Sequence, residues 1–132
     1  METIKYAMAA VGGFLGNYLG VWDGMLDALL ACVVIDYITG VLLAINEKTL
    51  SSDIGFRGIA RKVLVFALVG LANLLDGFLG ADHIIRTAVI AFYISNEGIS
   101  IIENAAAIGL PVPQKLLMVL EQIKGDNKEG KK

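Results

Sequence analysis

Arg86, Tyr93, Glu97, Ser100 and Asn104 are the residues of this chain whose types and spacing could do chemistry. On a helix turning about 100° per residue they fall within about 60° of one another, with Asn96 and Glu103 at the edge of the same face. The stretch that carries them, 84–108, is otherwise apolar, and a second apolar stretch contains Asp36. Asn73 and Asp76 enter a third. An ionised group placed among lipid tails costs several kcal/mol unless it faces water or a partner. A polar stripe of this length therefore has two readings, the lining of an aqueous path or a seam that fixes how helices pack, and spacing alone does not choose between them. Arg86 and Glu97 share a face but stand eleven residues, about 16 Å, apart, so any contact between them must come from another helix or subunit.

Carboxylates inside apolar segments can also be catalytic, but the required patterns are missing. Intramembrane aspartyl proteases use a Tyr-Asp and a Gly-x-Gly-Asp pair, whereas here Asp36 precedes Tyr37 and no Gly-x-Gly-Asp occurs. CDP-alcohol transferases use Asp-Gly-x-x-Ala-Arg, and neither Asp23-Gly24 nor Asp76-Gly77 continues that way. His83 has no second histidine or cysteine beside it, and Cys32 is the one cysteine of the chain. We expect no enzyme, no metal, no cofactor and no nucleic-acid partner.

The elements that hold these residues are set by composition. Of 132 residues, 56% are hydrophobic and 18% charged, and the mean hydropathy is +0.69. An average soluble chain has about a quarter charged residues. The apolar residues gather in four blocks that predict transmembrane helices at about 7–22, 25–46, 63–81 and 84–108, since about 20 residues cross the hydrocarbon. Gly12, Gly16, Gly20 and Gly24 recur every fourth position and, on one continuous helix, would align as a side-chain-free face suited to helix packing and oligomerisation. Between the second and third blocks, Ser51, Ser52 and Asp53 can cap a short amphipathic helix, 51–62, whose basic residues Arg57, Arg61 and Lys62 would sit at the cytoplasmic membrane surface. After Pro111 and Pro113, a C-terminal amphipathic helix over 112–123 carries Leu116, Val119, Leu120 and Ile123 on one stripe, to lie on the membrane or on another subunit. The charged tail 124–132 is expected to be disordered. The fold class expected is thus an all-α integral membrane protein, one transmembrane domain over 1–123, assembled as an oligomeric bundle.

Ten of the eleven Lys and Arg lie before the first block, between the second and third, or after the fourth. The connections near 23–27 and 79–85 carry Asp23, Asp27 and Asp82 instead. By the positive-inside rule both termini and the 47–62 connection are cytoplasmic. A cleaved secretory signal is not expected, because no small-x-small site follows the first block.

Several segments, in order along the chain, resemble one family, the bacteriophage holins that include the clostridial toxin-export holin. They are Ile35-Asp36-Tyr37-Ile38-Thr39-Gly40, Ser52-Asp53-Ile54-Gly55-Phe56-Arg57-Gly58-Ile59, Leu75-Asp76-Gly77, the run from Phe92 to Asn104, and Gly109-Leu110-Pro111-Val112-Pro113. The resemblance implies a small protein of the bacterial inner membrane that homo-oligomerises in the lipid bilayer and opens lesions at a set time. Through them an endolysin or a large toxin would pass. A small ion channel or transporter subunit is the alternative that the polar stripe permits equally well.

Overall fold

The computed structural model describes residues 1–128 and is helical throughout, with helices α1 (Glu2–Leu19), α2 (Gly24–Asn46), α3 (Ser52–Leu79), α4 (Ile84–Ile108) and α5 (Gln114–Lys128). Three of these, α2, α3 and α4, are long and apolar enough to cross a membrane. α4 is the central element, packed against α2, α3 and α5, while α1 rests on α3. Helix α4 can carry so many polar groups because its neighbours enclose it and the lipid does not have to.

Buried positions recur at alternating spacings of three and four on α2, at Leu26, Leu29, Val33 and Asp36, and on α3, at Val65, Val69, Ala72 and Asp76, where Gly70 is buried besides under the Tyr18 ring. α4 carries the same stripe at Arg86, Ile90, half-buried Tyr93 and Glu97, and because it has neighbours on several sides it also buries Ser95, Gly98 and Ile102. A 3.5-residue repeat keeps one narrow stripe facing a partner along the whole contact. The apolar core lies in the middle of these stripes, with Leu26, Leu29, Val69 and Ile90 all at 0% exposure and Val33, Val65 and Leu19 closing it. The outward faces remain apolar and exposed, as at Leu30, Val34, Ile38 and Leu42 on α2 and Leu64, Leu68, Leu71 and Leu75 on α3.

The helices and their contacts correct four expectations. Helix α1 stops at Leu19 because Gly20 adopts φ 90°, and α2 restarts at Gly24 under an N-cap from Asp23, whose carboxylate accepts from the Leu26 N–H. The four glycines therefore do not share one helical face: Gly12 and Gly16 lie on α1, Gly20 is in the turn and Gly24 opens α2. The amphipathic segment 51–62 is not a separate interfacial helix either. It is the first third of α3, which runs unbroken for 28 residues from the Ser51 cap, since no helix breaker separates Arg61 from Val65. Gly55 and Gly58 are tolerated there because the Tyr37 ring packs on them and its hydroxyl donates to the Gly55 carbonyl. Finally, α5 folds back onto α4 of its own chain, with Leu120 against Gly98. It continues to Lys128, five residues into the segment expected to be disordered; residues 129–132 lie outside the described residues.

Candidate functional site

The buried polar groups fall into two layers at opposite ends of the apolar core. Counted along the helices, Asp23 to Asp36, Lys62 to Asp76 and Arg86 to Glu97 are separations of about 16 to 21 Å. The predicted stripe on α4 is thereby divided, with Arg86 at one end, Glu97, Ser100 and Asn104 at the other, and Tyr93 in the apolar layer between them.

The first layer is organised by Arg86, which is only 2% exposed. Its Nε donates to the Leu19 carbonyl (2.8 Å), one terminal nitrogen to the Val21 carbonyl (2.6 Å) and the other to the Asp23 carboxylate (3.0 Å). A guanidinium suits this place because its planar fork serves several acceptors at once. The carbonyls it satisfies are those left free where α1 ends. Asn73 adds a bond from its amide to the Tyr18 carbonyl (3.1 Å). Asp76 caps α4, its two oxygens accepting from the N–H groups of Ile85 (2.9 Å) and Arg86 (2.8 Å). The Leu26 N–H foremost, with the adjacent guanidinium, holds the Asp23 carboxyl below its ordinary value.

The second layer joins all three long helices. The Lys62 ammonium on α3 donates to the Asp36 carboxylate on α2 and to the Glu97 carboxylate on α4, the latter at 2.7 Å. Asn104 donates to the other Asp36 oxygen (3.2 Å) and to the Thr39 hydroxyl (3.0 Å). Asp36 and Glu97 are 7% and 4% exposed. A cavity of about 220 Å³ abuts this layer, lined by Asp36, Lys62, Ser100 and Asn104 and reaching Leu50 and Ile54 at the α2–α3 connection.

Of the basic residues assigned to the membrane surface, Arg57 and Arg61 are exposed, and Arg57 pairs with Asp53 one turn away (3.3 Å). Lys62, next to Arg61 in sequence, turns instead into the bundle and is half-buried. It is the counter-ion of the two carboxylates, because it continues the buried spacing of α3 (62, 65, 69, 72, 76) rather than the exposed face of Arg57 and Arg61. Sequence reasoning missed Lys62 as this partner, Asp23 as the partner of Arg86, and Asp76 as the α4 cap. The signal for Lys62 was that same spacing, read toward Asp76 and not toward the preceding loop. Among the described residues no group of three His, Cys, Asp or Glu could hold a metal ion.

Residues 13–125, most of the chain, match the bacteriophage holin family. The chain belongs to that family. A probable holin of Bacillus phage phi105 is 40% identical over 102 residues, 77% of this chain and 76% of the phage protein. An uncharacterized 14.9 kDa protein in the nagH 3' region of Clostridium perfringens is 41% identical over 124 residues, covering 93% of this chain and 94% of its own length. The uncharacterized protein YqxH of Bacillus subtilis is 39% identical over 106 residues. No solved structure gives a significant match. With three helices able to span a bilayer, this holin-family chain is a multi-pass membrane protein, and its two polar layers are features of a bundle built to sit in lipid.

Proposed function

We propose that the chain is a working holin: it accumulates in the bacterial inner membrane, assembles with further copies of itself and opens lesions through which an endolysin or a large toxin leaves the cytoplasm. The observation that carries this reading is the family match over residues 13–125, reinforced by the phage relative named as a probable holin. α1 joins α2, α3 and α4 as a fourth span, with both termini, the 47–51 connection and the α3 start that carries Arg57 and Arg61 on the cytoplasmic side, the arrangement the positive-inside rule favours. A 132-residue chain is too small to enclose a passage for a folded protein alone, and the charged groups of its polar stripe and Asn104 are consumed inside the single bundle by Asp23, Lys62 and Asp36. Lesions therefore need several copies. The exposed face of α1 at Gly12 and Gly16, where an added Cβ would meet nothing within 4 Å, is the proposed contact between copies.

Controlled expression in a bacterium, with membrane potential and release of a cytoplasmic reporter protein followed together, tests the reading. Abrupt loss of both is the expected result. Loss of potential with full retention of the reporter would identify a small ion channel, and loss of neither would leave a structural bundle.

A further inference from the structure

We propose that Asp36, Lys62 and Glu97 form a proton-binding site at the middle of the bundle, reached from the α2–α3 connection and closed toward the Arg86 layer. Asp36 stands twelve residues into the 23-residue α2, and Glu97 thirteen residues into the 25-residue α4. Both are thus near the midpoints of helices able to span the bilayer, about 18 to 20 Å from the ends nearest Arg86. Lys62 is the one ammonium between them. With all three groups ionised the cluster carries one net negative charge, and an uncompensated charge on carboxyls 7% and 4% exposed between packed helices is relieved most cheaply by taking up a proton. Two carboxylates that share one cation titrate as a unit, so the proton belongs to the pair.

The surroundings supply no second cation among the described side chains. From α2, the Cys32 thiol is within electrostatic reach of both carboxylates, and the Tyr37 hydroxyl is engaged with the Gly55 carbonyl. From α4, Ser100 and Asn104 are neutral. Of α5, Leu120 packs on Gly98, and Lys115 and Glu121 are exposed. The 220 Å³ cavity between the cluster and Leu50 and Ile54 has polar lining and room for several waters, whereas the side toward Arg86 is filled by Leu26, Leu29, Val33, Val65, Val69 and Ile90. A second cavity that reaches Lys62, between Val34, Ile38, Ile59 and Val63, is apolar and offers a proton no hydrogen-bonded path. The wet route to the cluster is therefore the one from the connection side.

The full chain reconstituted in lipid vesicles permits a direct test with dicyclohexylcarbodiimide, an apolar reagent that adds across protonated carboxyls. The expected product is one modification per chain, at Asp36 or Glu97, with a rate falling about tenfold per pH unit above its midpoint, as for one titrating proton. Asp36→Asn removes the excess charge and leaves Glu97 balanced by Lys62, so modification of Glu97 at pH 7 should drop at least tenfold; Glu97→Gln should do the same to Asp36. Isotope-edited infrared titration of the unaltered chain, following the carbonyl band of a protonated carboxyl, requires no variant to fold. The proposal is overturned if neither carboxyl is modified and no such band titrates. It is overturned equally if the single variants leave the remaining carboxyl as reactive as before. Protection by sodium at constant pH would place a metal cation there instead.

Discussion

Replacing Lys62 with methionine keeps the length and apolar stem of the side chain while deleting its ammonium, and the consequence can be worked from its partners. Asp36 and Glu97, 7% and 4% exposed, lose their shared cation. Asn104 remains on Asp36, but Glu97 keeps no charged partner among the described side chains. Removing one member of a buried ion pair costs about 3 to 5 kcal/mol, against about 1.4 kcal/mol per factor of ten, so the folded-to-unfolded ratio should fall by about two to three and a half decades. Proton uptake by the carboxylates offsets part of this, which makes the loss larger at pH 8 than at pH 5. The cost is electrostatic, and removing the carboxylates together with the ammonium should abolish it. Lys62→Met combined with Asp36→Asn and Glu97→Gln removes every charge and should recover all but about 1 kcal/mol, because neutral groups of similar shape replace a buried ionic network at little expense. Unfolding in mixed micelles at increasing denaturing detergent, followed by the fluorescence of the single tryptophan Trp22, measures both variants. A single variant within about 1 kcal/mol of the parent, or a triple variant as unstable as the single, would mean that charge at Lys62 does not hold the three helices together.

Three further outcomes follow from other parts of the bundle. Gly70→Ala would place a Cβ 1.7 Å from the Tyr18 ring, so α1 should lose its seat on α3, along with the Tyr18 hydroxyl bond to the Ala67 carbonyl; limited proteolysis near residues 20–23 should accelerate while α2 to α4 stay folded. Asp23→Asn keeps an acceptor for the α2 cap and should cost less than about 1 kcal/mol, since the side chain is 38% exposed, whereas Asp23→Ala also loses the cap and should cost about 0.5 to 2 kcal/mol. Because the folded Asp23 carboxyl sits below its ordinary value of 3.8, its contribution is complete above that value and fades as pH falls through the lower folded value, so the stability advantage of the parent over Asp23→Asn should shrink as pH is lowered below 3.8. Gly12→Leu with Gly16→Leu should leave the monomer fold intact, and a loss of cross-linked oligomer in membranes would place α1 between copies; an unchanged ladder would remove it.

The apolar blocks made the helices legible because lipid demands length and hydropathy, and both are written in the residues. α2 and α4 accordingly start and end within a residue of the expected 25–46 and 84–108, whereas α3 begins eleven residues before the expected 63. What escaped the sequence was the pairing of helices. The α4 stripe was visible, but dividing it between Arg86 at one end and Glu97 with Asn104 at the other required knowing that Asp23, Lys62 and Asp36 arrive from three different segments. Lys62 was misassigned since it adjoins Arg57 and Arg61 in a charged segment, and proximity in sequence concealed that it points with Val65 and Val69 toward the core. The glycine repeat misled for a related reason. A four-residue period is indifferent to where a helix ends, and Gly20, at φ 90°, marks the end. An added Cβ there would lie 2.7 Å from the Asn73 side-chain oxygen and 2.9 Å from Arg86 Nε, so that glycine serves the turn.

The alternating three and four spacing also governs which changes of length the bundle can accept. One residue inserted in α3 between Lys62 and Asp76 would rotate everything beyond it by about 100°, carrying Asp76 away from the start of α4 or Lys62 away from the carboxylates. Seven residues inserted together would restore the stripe and lengthen the helix by about 10 Å, but α2 and α4 would then need the same seven to keep both polar layers level. Between those layers the chain can grow or shrink only in matched heptads on three helices at once, whereas the 47–51 connection joins two helix ends and is free of that arithmetic. Deletion scanning should find the two regions as different as a gear train and a strap.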